Sequence, residues 1–248
     1  MILRKIKVCL LFMPGITLLV FSTMAFVNHQ SQNSPPEVLI ISPSANSAFR
    51  WNSPIRYAIQ VTDKEDGDSR YDEINTNEVL LRVLYLQDSS HVFEYSDTKM
   101  EEEPKAITLI KTSTCFNCHS NKNKLIGPSF SQIADKYGNS KESISTLVGK
   151  VINGSVGIWG DVPMPSNTDL STDEIQTIIK WLLETGNDPN VFYQRGLTGT
   201  FVLKEEQYKR ENQRGVFVLT ASYLDQGFGN NQSAKRQGQH SIVIKPFN

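Results

Sequence analysis

Apolar residues follow two different rhythms along this chain. From Glu37 to Ser42 a short apolar run ends in a Pro/Ser/Asn turn, and from Ile55 to Val61 apolar and polar residues alternate, the period-2 pattern of a half-buried strand. Glu78–Tyr85 and His91–Tyr95 read as further strands. Beyond residue 104 the spacing changes to three and four, the helical period. Pro104 can open a helix running to about Cys118, with Ile107 and Ile110 on its buried face. Ser129–Tyr137 reads as a short helix. Glu142–Ile152 carries Ile144, Leu147, Val148 and Val151 at helical spacing before an Asn153-Gly154 stop. In the last helix Ser171 and Glu174 form a capping box ahead of an Ile175, Ile178, Ile179 and Leu182 stripe. Trp181 reads as packing on the first helix. The strand rhythm then returns in Thr198–Lys204, Gly215–Tyr223 and His240–Lys245.

The joints are polar. Lys99–Lys105 is a charged connector whose glutamates read as a solvated run, and Gly186-Asn-Asp-Pro-Asn190 is a helix stop. Asp63-Lys-Glu-Asp-Gly-Asp68 reads as a solvated acidic turn, because its spacing does not follow the EF-hand pattern. Trp51 has no motif around it and reads as core.

A net charge of −1 over 248 residues gives no footing for nucleic acid or a polybasic membrane patch. The first residues differ from the rest. Met1 to Lys7 is basic and Val8 to Val27 almost wholly apolar, the layout of an export signal. Small residues at Thr23 and Ala25 allow cleavage after Ala25, while the apolar run is also long enough to anchor the chain in a membrane. Either alternative, at residues 1–27, places the remainder outside the cytoplasm. Cys9 precedes the place a lipoprotein cysteine would take.

The candidate chemistry sits at Cys115-Phe116-Asn117-Cys118-His119. Two cysteines three apart with a histidine directly after the second read as a c-type haem attachment site. Residues i and i+3 share one face of a helical turn, so both thiols reach one porphyrin. A structural zinc site wants four Cys or His ligands, and the remaining candidates, Cys9, His29, His91 and His240, are scattered. A thioredoxin-like pair wants a βαβ context that is missing. For a sixth ligand, Met1, Met13 and Met24 belong to the N-terminal segment and Met100 to the charged joint. Met164 remains, stiffened by Pro163 and Pro165 on a polar loop.

These pieces stand in a familiar order. CFNCH at 115–119, Ile126–Phe130, Ile133–Tyr137, Asn153–Gly160, Pro163-Met164-Pro165 and Lys180-Trp181-Leu182 make residues 104–186 resemble a short bacterial class I cytochrome c. The resemblance implies one covalent haem c, with Cys115 and Cys118 as thioether sites and His119 and Met164 as axial ligands. It implies that the Pro128 carbonyl accepts from the proximal imidazole, and that Trp159 and Lys150 reach the propionates. Asn167 matches a residue near the methionine sulfur. Export agrees, since members of this family receive their haem outside the cytoplasm.

Segment 37–68 is similar to the opening strands of PKD-like immunoglobulin-type sandwiches, and Gly215–Lys245 resembles their closing strands. The expected fold class is therefore α+β multidomain: an all-α cytochrome domain at 104–186, inserted in or flanked by β segments at 36–99 and 191–248. A single sandwich or two separate β domains would fit this pattern. The implied function is single-electron transfer in the periplasm or cell envelope, with an exported dehydrogenase as donor and an oxidase or another cytochrome as acceptor. Two alternatives stand beside it: a haem-bearing subunit docked to a dehydrogenase through its β part, and an open-site sensor or peroxidase if Met164 does not bind iron. No triad, phosphate loop or carboxylate pair suggests catalysis by this chain itself.

Overall fold

Strand alternation before and after the helical stretch builds two sheets. The computed structural model describes residues 33–95, 103–208, 215–227 and 235–247. The N-terminal apolar segment, with Cys9, lies outside the described residues, as do His29 and Met100. Among the described residues no helix is long and apolar enough to cross a membrane.

One sheet holds β1 (Glu37–Ser42), β3 (Pro54–Asp63), β4 (Gly67–Asp68) and β7 (Thr198–Val202), with β3 paired to the other three. The other runs in the order β2 (Ala48–Phe49), β9 (Gln237–Pro246), β8 (Val216–Leu224), β5 (Leu80–Leu86) and β6 (Val191–Arg195). Pairing crosses the helical stretch repeatedly: Ile55 lies opposite Phe201, and Val83 lies between Phe192 and Leu219. Val61, Leu81, Val83, Phe217, Leu219, Tyr223 and Ile244 are fully buried in one apolar core shared by the two sheets. Trp51 is only half-buried, packed edge-on to Phe49 and Phe217. The segment His91–Tyr95 is not a strand; Ser89–Tyr95 forms a 3₁₀ helix. The strand pattern there is too short to override the Asp88 side chain, which accepts from the Ser90 amide and starts a turn.

Among the described residues, five α-helices lie between β5 and β6: α1 (Lys105–Thr112), α2 (Cys115–Cys118), α3 (Phe130–Tyr137), α4 (Lys141–Asn153) and α5 (Thr172–Thr185). One more turn, α6 (Glu205–Tyr208), follows β7. The first two are separate where the apolar spacing predicts one. Ser113 is extended, with its hydroxyl donating to the Ile110 carbonyl, and this ends α1 before the haem motif. Side chains cap the other long helices. Ser129 and Gln132 close a capping box on α3, Ser140 caps α4, and Ser171 with Glu174 closes the expected box on α5. Ile107, Ile110, Phe116, Phe130, Ile175, Ile178, Ile179 and Leu182 make a second core.

The helices rest on the outer face of the second sheet. Along β5, Leu81 and Val83 point into the sheet core, whereas Leu80 belongs to the helical one. This is why β8 is buried on both faces, Val218, Thr220 and Ser222 included. Trp181 meets Tyr193 of β6 edge-on, with ring centroids 5.7 Å apart, instead of ending its contacts at α1. Glu103 corrects the reading of the charged joint. Its side chain is buried, and its carboxylate accepts from Lys111 Nζ at 3.0 Å, Thr108 Oγ1 at 3.0 Å and Ser222 Oγ at 2.8 Å. The acidic turn is likewise not solvated throughout: Asp63 is 5% and Asp68 7% exposed.

Candidate haem site

Cys115 and Cys118 lie at the two ends of α2, one turn apart, and His119 follows as its extended C-cap. The chain then loops back so that Gly127 N–H donates to the Cys118 carbonyl at 2.8 Å. That return sets the Pro128 carbonyl 2.7 Å from His119 Nδ1. A carbonyl only accepts, so Nδ1 carries the proton and Nε2 keeps its lone pair for a metal. The imidazole also stacks on Phe130, centroids 5.9 Å apart at 18°. Burial lowers the imidazole pKa from its ordinary value, and the Pro128 contact partly opposes this; the neutral ring is the form that ligates. Burial raises the Cys115 thiol, whose sulfur lies 3.0 Å from Ser113 Oγ.

Met164 is positioned from the other side. Its amide and carbonyl pair with Ser155, at 2.8 and 3.0 Å, in a two-residue antiparallel bridge. Gly154 makes that approach feasible: its φ is +79°, and an added Cβ would stand 2.8 Å from the Met164 carbonyl oxygen. The 163–165 loop is thereby tied to the end of α4.

Between the two sides lies a cavity of about 400 Å³. Cys115, Cys118, His119, Pro128, Lys150, Trp159 and Met164 all line it, and Ile110, Ile133, Leu147, Val151 and Ile178 supply apolar wall. Lys136 Nζ sits 4.8 Å from the Trp159 ring centroid. Asn167 is not part of the wall. Its side-chain oxygen accepts from the Asp169 and Leu170 amides, while its own amide donates to the Val151 carbonyl at 2.9 Å. The residues fit a covalent haem: two thiols one turn apart, an imidazole fixed by its outer nitrogen, a thioether, and an apolar hollow between them.

Three contributors escaped the sequence reading. A Cβ on Gly127 would lie 2.6 Å from His119 Cε1, so the position must be glycine for the ring to stand as it does. Phe130 supplies the stacking face, and the Gly154–Ser155 pair anchors Met164. All three belong to segments noted for their order in the chain, but only the tertiary return of the chain reveals what they touch.

A sequence profile of the cytochrome c family matches residues 105–186. Cytochrome c-552 of Nitrosomonas europaea is 36% identical over 75 residues, which cover 30% of this chain and 73% of that protein. The chain belongs to the cytochrome c family. Cytochrome c-551 of Pseudomonas aeruginosa is 38% identical over 82 residues, covering 33% of this chain and 76% of its own. The crystal structure of the wild-type Nitrosomonas cytochrome c552 aligns with 35% identity over 31% of this chain and 95% of that one, at a TM-score of 0.30. The helical part is thus a cytochrome c electron-transfer domain carrying one covalent haem c, with Cys115 and Cys118 in the attachment motif. Such a domain exchanges electrons with redox partners. The family match, residues 105–186, leaves the strands on either side outside it.

Proposed function

We propose that this chain is an exported single-electron carrier with His119 and Met164 as axial ligands. The reading rests on one observation: Cys115, Cys118, His119 and Met164 line one apolar cavity. When bound, haem c supplies a one-electron couple between ferrous and ferric iron. The protein's residues do the rest. His119 would offer Nε2 and Met164 its thioether sulfur to the iron, while Pro128 holds the other imidazole nitrogen. Trp159 and Lys150, at the cavity wall, are the proposed propionate contacts.

In this reading the β segments 36–99 and 191–248 form one immunoglobulin-type sandwich carrying residues 104–186 as an insertion. The strand pairs that cross the insertion support it. Ile126, Val156, Ile158 and Val162 are exposed at the cavity rim, a small apolar surface suited to brief encounters. An exported dehydrogenase would be the donor and an oxidase or second cytochrome the acceptor. The basic-then-apolar N-terminus supports export to the periplasm.

The test is an absorption spectrum of the haem-loaded protein in both redox states. A far-red charge-transfer band in the oxidised form, lost in Met164→Ala, is the expected result. A high-spin spectrum with rapid carbon monoxide binding in the wild type would replace the carrier with an open-iron sensor or peroxidase.

A further inference from the structure

Away from the haem cavity, the acidic turn between β3 and β4 holds buried charge that the electron-transfer reading does not use. Asp63, the last residue of β3, is 5% exposed. Its Oδ1 accepts from the Glu65 amide at 2.9 Å and the Asp66 amide at 2.7 Å, but its buried Oδ2 has no partner. Glu65 repeats the pattern: Ser34 N–H lies 3.4 Å from Oε2, while the buried Oε1 has none. None of the described ion pairs involves either residue. Two carboxylate oxygens removed from water without a donor are a costly arrangement.

The surroundings add negative charge. Asp225, fully buried at the end of β8, accepts from Asn33 Nδ2 at 2.7 Å and from the Gly227 and Arg236 amides, both at 2.9 Å. Asp66 accepts from the Tyr223 hydroxyl at 2.8 Å and the Gln226 amide at 2.9 Å. These donors serve Asp225 and Asp66, the two carboxylates whose charge repels Asp63. Burial, together with repulsion from Asp66 and Asp225, outweighs the two amides and raises the Asp63 carboxyl from its ordinary range.

No trio of His, Cys, Asp or Glu among the described residues groups as a metal site. A hard cation needs fewer side chains, because amide carbonyls, backbone carbonyls and water complete its shell. We propose that Asp63 Oδ2 and Glu65 Oε1 are two ligands of a calcium-type cation. The site lies at the end of β3, in the same turn as Asp66, which accepts from Tyr223 of β8 in the other sheet. Cation binding would therefore clamp the two sheets at that end, and affinity would fall in the weak range of extracellular modules.

The experiment is titration of chelator-treated, haem-loaded full chain with calcium chloride, followed by calorimetry and thermal unfolding. One equivalent should bind, Tm should rise, and the haem spectrum should stay unchanged. Asp63→Asn keeps the Oδ1 acceptor and Glu65→Gln the side-chain shape; each should weaken binding at least tenfold. Asp63→Asn is the more buried change, so Glu65→Gln decides if it does not fold. No heat and no Tm shift up to about 10 mM calcium, roughly ten times the weakest extracellular range, would overturn the proposal. So would equal responses to magnesium or to sodium at matched ionic strength, or wild-type affinity in Glu65→Gln.

Discussion

Lys111 on α1 and Glu103 in the joint before it form a buried ion pair, 3.0 Å apart, that also takes in Ser222 of β8. The pair therefore couples the start of the cytochrome domain to the sheet beneath it. Removing one partner strands the other charge away from water, which costs about 3–5 kcal/mol. Lys111→Met should lose that much in equilibrium denaturation. The double variant Lys111→Met, Glu103→Leu should recover most of it, because an apolar pair of similar volume carries no desolvation cost. A double variant as unstable as the single one would show that the two charges are not coupled.

Gly127 faces His119 too closely for any side chain. A Cβ there would be 2.6 Å from Cε1, so the ring or the loop must shift. Gly127→Ala should cost about 1–3 kcal/mol as an overpacking change. It should also loosen the His119–Pro128 bond, which moves the reduction potential through the proximal ligand. Potentiometry on the haem-loaded variant reads that second effect. An unchanged potential with lowered stability would mean that the loop moves and the imidazole does not.

Much of this arrangement can be read in the chain itself. The haem motif, the proline-flanked Met164 and the Ser171–Glu174 capping box are short-range signals, and strand alternation marks β3 and β8 directly. What could not be read is whatever depends on a partner far along the chain. Glu103 looks solvated among three glutamates until Lys111 and Ser222 enclose it. Leu80 looks like one more residue of a hydrophobic strand, yet it faces the helical core. The short strand β6 follows so closely on the Asn-Asp-Pro-Asn turn that only its pairing with β5 identifies it.

Leu80 and Leu81 are neighbours in β5 that belong to different cores. Each truncation to alanine should cost about 2–5 kcal/mol, but the damage should fall in different places. Leu80→Ala opens space beneath the helices, so amide exchange should quicken first in α1 and α5. Leu81→Ala opens space between the sheets, so the early exchange should appear in β3 and β8. Hydrogen exchange with fragment-level mass analysis distinguishes them. Identical exchange maps would mean that the two cores open as one unit.

Alkaline pH should unfasten the sheets by way of buried tyrosines. Burial pushes the Tyr57 and Tyr208 phenols up to about 12, with nearby Asp188 and Tyr85 adding to the rise at Tyr208. In the unfolded chain both titrate near 10. Below about pH 10 both states hold the protons, and stability owes nothing to pH through these groups. As pH rises from about 10 to about 12 the unfolded chain releases protons that the folded one still keeps, so stability falls across that window and levels off above it. The Tyr57 hydroxyl donates to the Arg195 carbonyl at 3.2 Å, so its loss carries a small additional cost at neutral pH. Burial and the bond to Asp66 also raise the Tyr223 phenol, so urea midpoints across the window should drop steeply in the wild type and less, but still measurably, in the Tyr57→Phe, Tyr208→Phe double variant. The same drop in both proteins would assign the alkaline sensitivity to other groups.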